Sequence, residues 1–167
     1  MQNIRFLSTG GTFNKHYSEA TGGIAIDTEG TTLQELADKW RTSFLIQTII
    51  GKDSLEMNDQ DREVLLQTIS QSPEENIIVI HGTDTMDLSA EHIAKAALPK
   101  RIILTGAMLP YRVDKVEATA NVAMAVGYLS AEIPHGVYIS MNGIIGPYRQ
   151  VVKNRASKRF ELLSDID

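Results

Sequence analysis

Ile77-Ile78-Val79-Ile80-His81-Gly82-Thr83-Asp84-Thr85-Met86 is the stretch that decides the fold. Its four consecutive apolar residues read as a strand buried on both faces, and the glycine and hydroxyl residues after them mark an abrupt turn at the strand's carboxyl end. The same order occurs near the N-terminus, where Ile4-Arg5-Phe6-Leu7 runs into Ser8-Thr9-Gly10-Gly11-Thr12. A parallel sheet puts both loops along one edge, where glycines let backbone N–H groups approach a ligand closely. Two such loops, each presenting a hydroxyl, predict an acyl-transfer site built from two threonines.

Outward from these loops, strand and helix signals alternate. Asn3–Thr9 reads as the first strand, buried on both faces apart from Arg5. Residues 14–23 are polar and end in Gly22-Gly23, which predicts a mobile loop able to act as a lid. A helix starts after Thr31 or Thr32, carries Leu33, Leu36 and Ala37 and stops near Trp40, and Phe44–Ile50 follows as a second buried strand. Asn58 is placed to cap a helix over Asp59–Gln71, with Val64, Leu65 and Ile69 on one face and Pro73 beyond its end. The series continues with a strand over Ile77–His81, a helix over Leu88–Leu98 and a strand over Arg101–Thr105. The longest helix spans Asp114–Ala131, with Ala118, Val122, Ala125, Val126 and Leu129 toward the sheet, and Val137–Met141 closes the set. This alternation predicts an α/β fold: an open, mostly parallel sheet with helices on both faces, a Rossmann-like or flavodoxin-like three-layer architecture. Residues 1–150 form the domain on this reading, and 151–167, without clear periodicity, form a C-terminal tail or the start of a connection.

The 167 residues, 43% hydrophobic and 22% charged, suit one globular domain and leave no room for a second full one. A formal net charge of -5 argues against nucleic acid as a partner. Arg149, Lys153, Arg155, Lys158 and Arg159 cluster near the end, and as a group they read as a solvated segment. The absence of cysteine excludes disulfides, thiolate nucleophiles and Cys-type zinc sites. Met1-Gln2-Asn3 passes directly into a strand-like run without a secretion signal, and no apolar run approaches membrane-spanning length, so a soluble cytoplasmic protein without a membrane partner is expected.

Thr12 follows two glycines, which leaves its hydroxyl exposed among accessible amides; it reads equally as a nucleophile needing a base or as a turn threonine capping its own loop. Asp84 or Thr85 could cap the helix that follows, the commoner role for these residue types, while Asp84 could also hold a lysine or a substrate ammonium by a charge-assisted hydrogen bond. Lys153 is the candidate lysine. His81, behind four apolar residues, reads as a core histidine with satisfied hydrogen bonds. His16, His92 and His135 show no metal-ligand spacing, so no metal is expected, and the missing G-x-G-x-x-G and G-K-[ST] patterns disfavour nucleotides.

T-G-G-T at Thr9–Thr12, H-G-T-D-T-M at His81–Met86, T-G-A-M-x-P at Thr105–Pro110 and R-x-x-x-K at Arg149–Lys153 together resemble the bacterial-type L-asparaginase family, in its order and spacing. The resemblance covers the N-terminal domain of the usual two-domain enzyme, the second family domain being absent from these 167 residues. It implies that Thr12 is the primary nucleophile and that Thr83, Asp84 and Lys153 form the second catalytic group. It further implies that Ser54 binds the substrate α-carboxylate, with Gly11, Gly82 and Asp84 also at the substrate. Tyr17 is the nearest counterpart of the family's lid tyrosine, at a different spacing from Thr12. Leu55 stands where a polar residue is usual, which leaves Glu56 as substitute partner for the substrate ammonium, and Glu117-Ala118 replaces the usual Asp-Gly before the long helix. Family sites lie between subunits and take an acid from the second domain.

The first reading is therefore an amidohydrolase that cleaves the side-chain amide of L-asparagine, with L-glutamine as a lesser substrate, by a threonine double displacement. It needs no cofactor and is expected to form a homo-oligomer, dimer or tetramer. The alternatives are a noncatalytic amino-acid-binding module that kept the carboxylate pocket, and an amidase subunit that feeds ammonia to a partner.

Overall fold

The structure is a computed structural model and describes residues 3–165. The predicted start at Met1-Gln2 and the last two residues of the predicted tail lie outside the described residues. Strands and helices follow in the order β1 (Ile4–Gly10), β2 (Lys15–Ser18), β3 (Gly23–Ile26), α1 (Thr31–Lys39), β4 (Leu45–Lys52), α2 (Asp59–Gln71), β5 (Asn76–Ile80), α3 (Met86–Ala94), β6 (Arg101–Thr105), α4 (Lys115–Leu129), β7 (Gly136–Met141), β8 (Ile144–Pro147), β9 (Val151–Asn154) and β10 (Arg159–Leu162). The central sheet has six strands in the order β4-β1-β5-β6-β7-β8. All neighbours in it pair parallel except β7 and β8.

Side chains alternate between the two faces of each buried strand. Phe6, Ile78, Ile80 and Ile103 join the apolar cluster that takes Leu33 and Leu36 of α1 and Ala118, Val122 and Leu129 of α4. Leu7, Ile77, Val79, Ile102 and Leu104 join a second cluster with Leu65 and Ile69 of α2 and Met86, Ala90 and Ile93 of α3. The continuous apolar runs are thus buried on both sides, and the fold is the expected three-layer α/β sandwich. At the start of α2, Asn58 Oδ1 accepts from the Asp61 N–H and Asp61 Oδ2 accepts from the Asn58 N–H, each at 3.0 Å, a capping box.

Several local expectations are corrected. The predicted lid loop is mostly an antiparallel hairpin of β2 and β3, tied to the loop after β4 by a 2.6 Å bond from Lys15 Nζ to Asp53 Oδ2. Its four-residue strands are half-buried apart from exposed Tyr17 and Ile24, so backbone pairing rather than an apolar pattern defines them. The second strand is the sheet edge, not a buried element, and leaves Leu45 45% exposed. Val64 and Leu88 face outward from their helices, and α3 begins at Met86, ahead of the expected Leu88. The series does not close at Met141: β8 follows, and the segment read as an aperiodic tail folds into the β9–β10 hairpin.

Candidate functional site

β1 and β5 are parallel neighbours, with Ser8 opposite Ile80. From β1 the chain passes through α1 to β4 on one side, then crosses through α2 to β5 on the other. The loops that leave β1 and β5 therefore diverge at the point where the strand order reverses, the usual ligand crevice of such sheets.

The loop after β1 begins with Gly11 at φ 75°, and Thr12 opens a short 3-10 turn over Thr12–Asn14. A Cβ on Gly11 would stand 2.4 Å from the Gly82 nitrogen, and one on Gly82 would stand 2.6 Å from Cβ and Oγ of Ser54. Gly11, Gly82 and Ser54 are thus stacked in direct contact, which joins the loops after β1, β5 and β4. Two further contacts fix them: Thr85 Oγ1 donates to the Ser54 carbonyl at 2.8 Å, and the Asp84 N–H reaches Ser54 Oγ at 3.3 Å. The Gly11 N–H is committed to the Lys52 carbonyl at 2.9 Å. Gly11 consequently supplies close approach rather than a free donor.

Asn14, which carries no signal in the sequence patterns, holds the turn that presents Thr12. It is 1% exposed, and its Nδ2 donates to Ser8 Oγ at 3.0 Å and to the Gly10 carbonyl at 2.8 Å. Thr12 itself is half-buried, and among the described residues its hydroxyl has no hydrogen-bond partner.

On β9, Lys153 projects its amine between the second pair. Lys153 Nζ lies 2.8 Å from Thr83 Oγ1 and 2.8 Å from Asp84 Oδ1. Arg155 donates from Nη1 to the same Asp84 oxygen and from Nη2 to the Asp84 carbonyl, both at 3.1 Å. The hydrogen bond from Lys153, reinforced by the Arg155 guanidinium, holds the Asp84 carboxyl below its usual range despite partial burial. Asp84 Oδ2 has no partner among the described residues and remains able to take a cation. Of the two capping alternatives, Thr85 occupies the N-cap position of α3, without a side-chain cap hydrogen bond, and Asp84 does not cap the helix. Arg155 could be found in the sequence only as one member of the basic cluster, and its 68% exposed side chain fits the solvated reading. Lys153, at 15%, does not.

Thr83, Asp84, Lys153 and Arg155 line a cleft of about 250 Å³, together with Asp87 and Glu91 from α3 and with Tyr148, Arg149 and Phe160. His81 is fully buried, with Nδ1 2.7 Å from the Gly82 carbonyl and Nε2 2.7 Å from Ser89 Oγ. Burial pushes its pKa down to about 4, so it is neutral near pH 7, in keeping with a core role.

Two expected site residues are not gathered in. Tyr17 is 65% exposed on β2, and Glu56 is exposed after the loop serine; neither side chain makes a hydrogen bond among the described residues. Glu117 serves locally: its carboxylate accepts from the Met108 N–H at 2.8 Å and the Leu109 N–H at 3.2 Å, which braces the loop after β6. Among the described residues no group of three or more acidic or histidine side chains could hold a metal ion, and no helix is long and apolar enough to cross a membrane.

A sequence model described as Asparaginase, N-terminal, matches residues 3–164. The chain belongs to the asparaginase family. Solved L-asparaginase structures share its fold. The thermostable L-asparaginase from Thermococcus kodakarensis has a TM-score of 0.82 at 24% identity, over 97% of this chain and 51% of that one. A probable cytoplasmic L-asparaginase from Campylobacter jejuni has 0.76 at 24% identity, over 97% and 54%. L-asparaginase I from Vibrio cholerae has 0.77 at 21% identity, over 97% and 52%. Among curated proteins, the chain is 29% identical to a glutamyl-tRNA(Gln) amidotransferase subunit of Nanoarchaeum equitans over 135 residues, 78% of this chain and 34% of that protein. This asparaginase-family domain thus spans about half the length of the solved relatives and a third of the curated one.

Proposed function

We propose that the domain hydrolyses the side-chain amide of L-asparagine to L-aspartate and ammonia, with L-glutamine a poorer substrate. One observation carries this reading: Lys153 Nζ stands 2.8 Å from both Thr83 Oγ1 and Asp84 Oδ1, a hydroxyl, amine and carboxylate assembled from distant parts of the chain. In the proposed mechanism Thr12 Oγ1 attacks the amide carbon, backbone N–H groups of the two loops stabilise the oxyanion, and the Thr12 hydroxyl proton passes to the amide nitrogen, so that the C–N bond breaks and ammonia leaves. The Thr12 ester is then hydrolysed by water, with Thr83, Lys153 and Asp84 handling its proton. Asp84 Oδ2 receives the substrate ammonium and Ser54 the α-carboxylate, while Tyr17 closes over Thr12 when the β2–β3 hairpin moves in. A cytoplasmic setting and self-association belong to the same proposal, and no cofactor enters.

The test is ammonia release by the full chain across asparagine, glutamine and related amides. Faster release from asparagine than from glutamine is expected, because a pocket fitted to the shorter side chain misplaces the longer one's carbonyl. Calorimetric binding of asparagine without turnover would replace the enzyme with a noncatalytic amino-acid-binding module.

The similarity to an amidotransferase component favours a second reading, an amidase subunit that delivers ammonia to a partner. Under that reading the isolated chain is slow and accelerates when its partner is added.

A further inference from the structure

We propose that Asn142 is a positioning residue for Lys153, acting through Phe160; the inference rests on the amidohydrolase reading. Asn142 and Gly143 form the two-residue loop between β7 and β8, with φ 52° and 80°. Such loops favour Asn-Gly because both residues tolerate the left-handed region. The Asn142 side chain does more than suit this turn. Its Oδ1 accepts from the Phe160 N–H on β10 at 2.9 Å, and its own N–H donates to Asn121 Oδ1 on α4 at 2.9 Å. Asn121 is 1% exposed and anchored in turn, with Nδ2 donating to the Gly106 carbonyl at 3.0 Å and to Glu117 Oε1 at 3.3 Å.

Phe160 stands directly opposite Lys153 in the β9–β10 ladder. Opposed residues of an antiparallel pair project from the same face, and both of these line the cleft beside Thr83 and Asp84. The β9–β10 hairpin is a separate two-stranded sheet, and such ribbons have little stability of their own. Burial of Val151 and Phe160 presses the hairpin onto the domain, but apolar contact is non-directional and sets no register. The Asn142–Phe160 bond is directional. It continues a strut of α4, turn, β10 and β9 that ends at the Lys153 amine.

Three substitutions separate positioning from turn stability. Asn142→Gly keeps the left-handed turn and removes the acceptor; Asn142→Asp keeps both. Gly143→Ala strains φ 80° with nothing within 4 Å of the new Cβ, and leaves the acceptor in place. The readouts are kcat and KM for asparagine, Tm, hydrogen exchange at the Phe160 amide and the ¹⁵Nζ resonance of Lys153. Asn142→Gly is expected to lower kcat about tenfold or more while KM stays within about twofold, because displacement of a catalytic group by about 1 Å impairs the chemical step far more than binding. The same variant exposes the Phe160 amide to exchange and moves the Lys153 resonance. Asn142→Asp restores wild-type values, and Gly143→Ala lowers Tm by a few degrees with kcat retained.

A wild-type kcat in Asn142→Gly, or kcat losses that simply follow Tm across the three variants, would overturn the proposal. If the wild type shows no turnover, the amidohydrolase reading fails on its own. The Lys153 resonance then decides: movement in Asn142→Gly but not in Gly143→Ala supports positioning, and no movement refutes it.

Discussion

Gly11 and Gly82 touch backbone to backbone: a Cβ on Gly11 would lie 2.4 Å from the Gly82 nitrogen and 2.5 Å from its Cα. The obstructing atoms are main chain, so no side-chain rotation relieves the clash. Gly11→Ala is expected to push the two loops apart and to cost about 2–4 kcal/mol from overpacking and a strained positive φ. Urea denaturation measures the loss, and ammonia release should fall with it. A variant of unchanged stability and activity would contradict the contact.

His81 gives the domain a defined pH dependence. Its folded pKa, pushed down to about 4 by burial, lies below the ordinary 6.5, so the unfolded chain binds the proton more readily. Stability is full above pH 6.5 and is lost as pH falls toward 4, with a slope of up to about 1.4 kcal/mol per pH unit. Glu74, held at about 2 by its hydrogen bond from Arg5, contributes only once pH drops below its ordinary 4.5. Urea midpoints at pH 5 and pH 7 should therefore differ more in the wild type than in His81→Gln. Equal differences would assign the dependence to other groups.

Asp84 is expected to act twice, through Oδ1 on Lys153 and through Oδ2 on the substrate ammonium. Asp84→Asn should raise KM and lower kcat together, with kcat/KM falling about 10²-fold or more. Steady-state kinetics on asparagine separates the two parameters. A change in kcat alone would remove Asp84 from substrate binding.

Self-association is the outcome expected from exposed apolar side chains on segments beyond the carboxyl ends of the strands: Tyr17, Ile24, Leu55, Val113 and Val116, each at least 65% exposed. Symmetric pairing is the commonest way to cover such a surface. Light scattering at assay concentration should report a dimer or larger species. A fully active monomer would contradict it.

The parts of this molecule that could be read from its sequence are those whose signal is local. β5 and β6 announce themselves as continuous apolar runs, and α2 does so through the Asn58 cap ahead of Leu65 and Ile69. The two hairpins escaped because four-residue strands on a surface carry no apolar period; Lys15 is tied to Asp53 and Phe160 to Asn142 by polar contacts across the chain. The contact between the Gly11 and Gly82 loops follows from strand order, because β1 and β5 are parallel neighbours at the reversal point. By position alone Lys153 is one cation among five; the R-x-x-x-K resemblance singles it out, and β9 carries it to Thr83, seventy positions away in sequence. Arg155 and Asn142 were invisible for the same reason, their partners being far along the chain.

In the proposed mechanism Thr12 forms the covalent ester, and Thr83 with Lys153 resolves it. The most direct measurement is intact-protein mass spectrometry of Lys153→Met after brief incubation with asparagine, followed by peptide mapping. A β-aspartyl ester on Thr12, absent from Thr12→Ala, is the predicted result. An adduct mapped to Thr83, or Thr12→Ala turning over asparagine at the wild-type rate, would contradict the roles given to the two threonines.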